Sequence, residues 1–201
     1  MIRTEDDGDL RLIRLARPDK ANALTATMLQ ALLEAVTSAQ GAKALILTGE
    51  GRVFSAGADL AAAKAGLATS PLWEDLSAAL AGFAGLTIAC LNGTLAGGAF
   101  GMALACDLRL AVPGAKFFYP VMQLGYLPQP SDPARLTALI GPARAKLILM
   151  AGARVEAPEA LAWGLIDRIV PPEDLLAAAR ALCADALAAD AAHGAAIKAM
   201  I

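Results

Sequence analysis

Two turns built from small residues could present backbone N–H groups to a ligand. Residues 54–60 read FSAGADL and residues 95–101 read LAGGAFG, and each turn follows a hydrophobic run and precedes a predicted helix. The first turn of a helix carries unpaired N–H groups and partial positive charge. Together the turns predict two N–H donors for an oxygen that gains negative charge. Taken singly, each turn is better explained by close helix–sheet packing, for which glycine leaves room.

Nucleotide and nucleic-acid binding are not indicated. Gly49 and Gly51 follow a strand as in a dinucleotide-binding turn, but Phe54 stands where the third glycine belongs, and no GxxxxGK[ST] motif occurs. The formal net charge of -2 and the absence of a Lys/Arg run give no basic field for a nucleic acid.

The composition predicts one globular domain of 201 residues, because no linker or low-complexity tract divides the chain. Apolar residues make up 57%, an excess consistent with a subunit interface. No apolar stretch approaches the roughly 20 residues that span a bilayer, and the acidic start MIRTEDDGDL does not resemble a signal peptide. We therefore expect a cytoplasmic protein without membrane contact. Cys90, Cys106 and Cys183 are widely spaced among apolar neighbours, which predicts reduced, buried thiols.

Hydrophobic periodicity predicts alternating strands and helices, and hence an α/β fold with a largely buried sheet. Strands are expected at 10–16, 43–48, 86–92, 108–112, 115–120 and 165–170. Helices are expected at 26–40 with Thr25 as N-cap and Gly41 as stop, within 60–85, at 97–107, on either side of Gly141 and Gly152, and at 173–190.

With their surroundings, the two turns resemble the crotonase superfamily, also called the enoyl-CoA hydratase/isomerase family. The matching segments are RPDKANALT (17–25), LILTGEGRVFSAGADL (45–60), LNGTLAGGAFGMALACDLRLA (91–111), AKFFYPVMQLGYLP (115–128) and the segment from 134 to 171. The resemblance implies a spiral of ββα units with a helical C-terminal part from about residue 173. It also implies a C-terminally short member that forms a trimer or hexamer.

The resemblance assigns the oxyanion hole to the N–H groups of Ala58 and Gly98, which would hold the thioester oxygen of an acyl-CoA. Chemistry at the α carbon of a thioester passes through an enolate, which such donors stabilise. Asp59 is equally expected to favour the start of its helix. No metal and no cofactor beyond the coenzyme A of the substrate are implied. The substrate-binding residues so implied are Lys20, Ala21, Ala23, Ala56, Asp59, Leu60, Gly97, Pro120, Val121 and Gln129.

The usual acid–base residues are replaced. Typical hydratases of this family carry two glutamates, and the gapless alignment places Gly101 and Val121 at their positions. Related branches carry an aspartate at the position of Gln129. Neither Gly101 nor Val121 can transfer a proton.

Other side chains nearby are candidates for proton transfer. Asp132 is one, although N-capping of the following helix is the favoured interpretation. Tyr126 is another, together with Tyr119, although both are expected mainly to pack or hydrogen-bond. The predicted helix within 60–85 adds Glu74 and Asp75.

Two residues outside this set have structural interpretations. Asp107 is predicted to be a structural hydrogen-bond acceptor. The single histidine, His193, is predicted to lie at the surface.

Three functions are compatible with these residues. The first is an enzyme of the hydratase/isomerase type. The second is a decarboxylase of a malonyl-type CoA thioester, which needs no base and would use an apolar carboxylate pocket around Val121 and Met122. The third is a non-catalytic acyl-CoA binding protein.

Overall fold

A computed structural model describes residues 1–39 and 41–201. The strands are β1 Ile2–Asp7, β2 Leu10–Leu15, β3 Ala44–Gly49, β4 Val53–Ser55, β5 Leu86–Leu91, β6 Thr94–Ala96, β7 Leu108–Ala111, β8 Lys116–Phe118, β9 Val155–Glu156 and β10 Arg168–Ile169. The α-helices are α1 Ala26–Thr37, α2 Leu60–Lys64, α3 Leu72–Ala81, α4 Phe100–Ala105, α5 Val121–Leu124, α6 Asp132–Leu149, α7 Ala157–Trp163, α8 Leu175–Leu182, α9 Ala184–Ala188 and α10 Ala191–Lys198. In the described part of the chain, no helix combines the length and the apolar character needed to cross a membrane.

The strands form two sheets, and from β3 to β8 successive strands alternate between them. The larger sheet has the order β1-β2-β3-β5-β7-β10 and the smaller has the order β4-β6-β8-β9. The consecutive pairs β3/β4, β5/β6 and β7/β8 each give one strand to either sheet before a helix follows. Neighbours are parallel except for β1 with β2 and β8 with β9. This spiral of ββα units confirms the predicted α/β fold.

Helix α1 forms as its periodicity predicts. Thr25 is the N-cap, and its side chain accepts a hydrogen bond from the N–H of Met28. The apolar face is buried except for Leu33, which is half-buried. The helix ends at Thr37, before the predicted stop at Gly41, and the predicted last residue, Gln40, lies outside the described residues.

Several elements differ from the prediction. Strand β1 was not predicted, because five of its six residues are exposed and leave no apolar alternation. The helix expected at 173–190 is two helices, α8 and α9, separated at Cys183. The N–H of this buried residue is shared between the carbonyls of Ala179 and Arg180, which tightens the chain there. Helix α6 departs from helical geometry at Gly141, where a break was predicted.

The three cysteines are free and buried, which confirms the prediction of reduced thiols. Burial raises the pKa of the Cys90 and Cys106 thiols to about 12 and that of Cys183 to about 11. Since the thiolate is the reactive form, these side chains are inert near neutral pH.

Asn22 holds the loop before α1 against the end of β3. Ala21 and Asn22 both have left-handed backbone geometry, with φ of 50° and 52°. The fully buried Asn22 side chain accepts from the N–H of Arg17 and donates to the carbonyls of Glu50 and Val53. These three bonds satisfy the amide and position the loop beside the first small-residue turn.

Asn22→Ala should therefore lower the free energy of unfolding by about 3 kcal/mol, because it leaves buried backbone groups without partners. Urea denaturation measures the change. Asp19→Ala is the matched control, since Asp19 is exposed on the same loop. Equal stability of the two variants would contradict the assigned role of Asn22.

Candidate active site

The two small-residue turns lie against each other at one edge of the smaller sheet. Strands β4 and β6 are adjacent and parallel, so both turns leave the sheet at the carboxyl ends of their strands. Gly57 has φ of +88° and Gly97 has φ of +57°. A Cβ on Gly57 would lie 2.8 Å from the carbonyl oxygen of Ala96, so the approach requires glycine.

The N–H groups of Ala58 and Gly98 are on these adjoining turns. Leu24 accepts from the N–H of Asp59 and donates to the carbonyl of Gly57, so the Ala58 N–H points away from that pairing. Gly98 is the second residue of a 3-10 turn, Gly97–Ala99. Neither N–H donates to an acceptor within the described residues. The two N–H groups predicted as donors therefore lie on turns that contact each other.

Asp59 has the contacts of a helix start. Its carboxylate is the N-cap of α2, accepts from the N–H groups of Ala61 and Ala62, and lies 3.0 Å from Nη1 of Arg17. The Ala62 N–H and then the Arg17 guanidinium lower the pKa of this carboxyl. These contacts support the predicted role of Asp59 in starting helix α2; its other predicted role, binding of the substrate, stays a prediction.

Five of the other predicted substrate contacts lie on or near the first turn, whereas Gly97 is on the second turn, and Pro120 and Val121 are at the start of α5. Lys20, Ala56 and Leu60 are exposed. Ala21 and Ala23 are half-buried, and the carbonyl of Ala21 accepts from the N–H of Ala56.

Asp132 faces the interior rather than the end of its helix. It is the first residue of α6, Ser131 is the N-cap, and no side chain caps this helix terminus. The N-capping interpretation was therefore wrong, because Tyr119 draws the carboxylate inward: the Tyr119 hydroxyl donates to Oδ2 at 2.9 Å. Asp132 is fully buried, and Oδ1 has no hydrogen-bond partner among the described residues.

The free oxygen of Asp132 lies where a side chain at position 101 would begin. A Cβ on Gly101 would be 2.9 Å from Oδ1. Gly101 follows Gly98 by three residues, so both face the same side of the chain as it enters α4. The Asp132 carboxyl therefore lies beside position 101, to which the sequence resemblance assigns the first glutamate of the family.

The environment of Asp132 makes both of its protonation states accessible. Burial raises the pKa of Asp132 to about 7, and the negative charge of Glu74 acts in the same direction. The Tyr119 hydrogen bond and the Arg135 guanidinium oppose the increase. A carboxyl with this pKa can take up and release a proton at neutral pH.

Glu74 anchors the start of α6 to α3. Its Oε1 accepts from the N–H and the hydroxyl of Ser131, at 3.2 and 3.0 Å. Arg135 donates to the hydroxyls of Ser131 and Ser77, and Ser77 donates to the carbonyl of Gly101. This network holds the segment that carries Asp132, whereas Asp75 is exposed.

Tyr119, and not Tyr126, is the phenol in contact with Asp132. The Tyr119 ring stacks on Phe100, with centroids 5.3 Å apart, and its hydroxyl accepts from the N–H of Gln129. Tyr126 is 39% exposed, and its hydroxyl has no hydrogen bond to the described residues. Val121 is buried at the start of α5, after Pro120.

Trp73, which the sequence reasoning missed, covers the second turn. A Cβ on Gly98 would lie 3.3 Å from two atoms of the indole and 3.4 Å from a third. The ring is buried, and Nε1 donates to the carbonyl of Leu67 at 2.7 Å. The available signal was a tryptophan, one of two in the chain, beside the candidate Glu74.

Other polar groups lie outside this site. Asp107 accepts from Thr87 and from Nζ of Lys198, which confirms its predicted structural role. His193 is exposed, as predicted. Within residues 1–39 and 41–201, no three His, Cys, Asp or Glu side chains are grouped to hold a metal ion.

Comparison with known proteins gives a consistent result. The family model described as enoyl-CoA hydratase/isomerase matches residues 5–201. A carnitinyl-CoA dehydratase from Salmonella arizonae is 38% identical over 194 residues, which cover 90% of this chain and 72% of that relative. An enoyl-CoA hydratase structure from Bacillus anthracis superimposes with a TM-score of 0.90 at 28% identity, covering 98% of this chain and 80% of that one. The structure of Pseudomonas aeruginosa DspI superimposes with a TM-score of 0.89 at 31% identity, covering 98% of this chain and 84% of that one.

The chain therefore belongs to the enoyl-CoA hydratase/isomerase family. This membership confirms the resemblance found in the sequence. Enzymes of this family process acyl-CoA thioesters, and the unpaired N–H groups lie on the two turns that carried the resemblance.

The raised pKa of Asp132 predicts a pH-dependent stability. The folded protein retains a proton that the unfolded chain releases above its usual pKa of 3.8, so the free energy of unfolding falls as the pH rises from about 4 to about 7. Asparagine does not titrate, so the free energy of unfolding of Asp132→Asn relative to that of the parent should increase by about 2 to 3 kcal/mol between pH 5 and pH 8. Urea denaturation at both pH values checks this.

Asp75→Asn is the matched control, because it removes an exposed carboxylate. A constant difference between Asp132→Asn and the parent across this pH range would show that Asp132 is already ionised at pH 5 in the folded protein.

Proposed function

We propose that the chain hydrates an α,β-unsaturated acyl-CoA thioester and catalyses the reverse dehydration. The N–H groups of Ala58 and Gly98 bind the thioester oxygen, and Asp132 is the single acid–base group. The observation that carries this proposal is the unpartnered Oδ1 of Asp132, buried beside Gly101 one turn beyond Gly98. Coenzyme A enters only as part of the substrate.

The two turns supply electrostatic stabilisation. When water adds to the β carbon of the unsaturated thioester, negative charge moves onto the thioester oxygen and an enolate forms. N–H donors already oriented toward that oxygen stabilise the charge without reorganisation, and each contributes roughly 2.7 to 4 kcal/mol.

Asp132 moves the proton. As a carboxylate, Oδ1 takes a proton from the water molecule while the water oxygen bonds to Cβ. The same proton then passes from Oδ1 to Cα as the enolate collapses, so OH and H of one water are added across the double bond. Tyr119 donates to Oδ2 and leaves Oδ1 free for this transfer.

The two alternatives have less support. A malonyl-type carboxylate would face the negative charge of Asp132, and Met122 is 64% exposed, so it does not close an apolar pocket with Val121. A protein that only binds thioesters gains nothing from a buried carboxyl with one oxygen unpaired, which costs folding free energy. Trimeric or hexameric assembly stays a prediction.

Asp132→Asn should reduce crotonyl-CoA hydration by about 10² to 10⁴-fold, because it removes the proton-transfer group. Loss of the enoyl-thioester absorbance measures the rate. Asp75→Asn, which changes an exposed carboxylate, should keep the parent rate. Parental activity in Asp132→Asn would exclude Asp132 as the acid–base group, and no hydration by the parent protein would exclude the hydratase function.

For the parent, kcat/KM should rise about tenfold from pH 6 to pH 8, since the reaction begins with the ionised carboxyl and the pKa of Asp132 is raised to about 7. A profile that is flat across this range would contradict the assignment.

Replacement of Gly98 tests the oxyanion hole. Gly98→Pro removes the N–H, and the added carbons would also press on Trp73. Gly98→Ala is the matched control, because its Cβ meets the same indole but the N–H remains. We expect hydration by the proline variant to fall at least about 10²-fold below the alanine variant. Equal rates in two folded variants would exclude Gly98 as a donor.

A further inference from the structure

We propose that Trp73 is the end wall of the acyl pocket and restricts the enzyme to short acyl groups. This inference rests on the proposed function, since it concerns the substrate bound at the same donors. All candidate thioesters have the same reacting atoms, so selectivity for chain length would depend on this one side chain.

The position of Trp73 relative to the reacting groups supports this role. Gly98 and Gly101 present one face at the entrance to α4. Trp73 covers this face at Gly98, and Asp132 covers it at Gly101. An acyl group whose carbonyl is held by Gly98 and whose α and β carbons meet Asp132 therefore has the indole beside it.

Trp73 is held rigidly in this place. Its Nε1–H donates to the Leu67 carbonyl at 2.7 Å, which satisfies the one polar group of the ring. The next residue, Glu74, binds Ser131, and Gln129 donates from its side chain to the Ala68 carbonyl at 3.1 Å. A rotation of the indole would break this buried hydrogen bond and leave the Nε1–H without its acceptor, whereas the Leu67 carbonyl keeps the bond from the N–H of Ser70.

The indole also fills space that a longer chain needs. The Trp73 residue is only 4% exposed and packs into the main core. Protein interiors are close-packed, so extra methylene groups are accommodated only if the ring moves. In the proposed binding mode the chain beyond the β carbon of the substrate turns toward the indole, so a four-carbon acyl group fits and an eight-carbon group displaces the ring.

The test compares trans-2-enoyl-CoA thioesters of four, six, eight and ten carbons. The parent should prefer four carbons, and Trp73→Ala should raise the ratio of kcat/KM for eight carbons to that for four carbons by about tenfold or more. Trp73→Phe should give an intermediate ratio, and it also covers the case in which the alanine variant does not fold. Trp163→Phe is the matched control, since Trp163 lies on α7 and contacts Arg144. Its ratio should equal that of the parent.

Binding of the unreactive butyryl-CoA and octanoyl-CoA, measured by calorimetry, separates this inference from the proposed function. If the parent hydrates crotonyl-CoA but both Trp73 variants keep the parental chain-length ratio, the inference is overturned and the hydratase function stands. If no enoyl thioester reacts but Trp73→Ala binds octanoyl-CoA more tightly relative to butyryl-CoA, the hydratase function fails and the wall is supported. If neither thioester binds to the folded parent, both proposals fail.

Discussion

The close approach of two backbone turns determines the rest of the site. Gly57 lies so near the carbonyl of Ala96 that no side chain fits between them, and this contact is possible because β4 and β6 are parallel neighbours. The pairing sends two unpaired N–H groups to the same edge of one sheet. Asn22 supports the arrangement from outside, through hydrogen bonds that span the end of β3 and the beginning of β4.

The proton-transfer group in our proposal comes from an element other than those that the family resemblance indicates. Gly101 has no side chain, and the space beside it is taken by the Asp132 carboxyl, which enters from α6. The same burial that raises the pKa of Asp132 makes this residue unfavourable for folding at neutral pH. Stability and proton transfer are therefore opposed at one oxygen atom, as is common where a site requires an unpaired polar group.

Local signals made much of the architecture predictable. The glycine turns, the apolar face of α1 and the break at Gly141 depend on neighbouring residues, and the sequence predicted each of them. The direction of the Asp132 side chain depends on Tyr119, thirteen residues earlier, and on the missing side chain at Gly101, so a local capping rule gave the wrong answer. Trp73 was missed for the same reason, because its contact with Gly98 arises only when α3 packs on α4.

The bonds from Glu74 to Ser131 and from Gln129 to Ala68 join parts of the chain that are 57 and 61 residues apart. One part carries the indole and the other carries the carboxyl. In a chimaera with a relative, exchanging the first segment without the second would separate the indole from the hydrogen bonds that brace it. The two segments therefore have to be transferred together in such a chimaera. A substitution at one end of either bond should be accompanied by a compensating substitution at the other end.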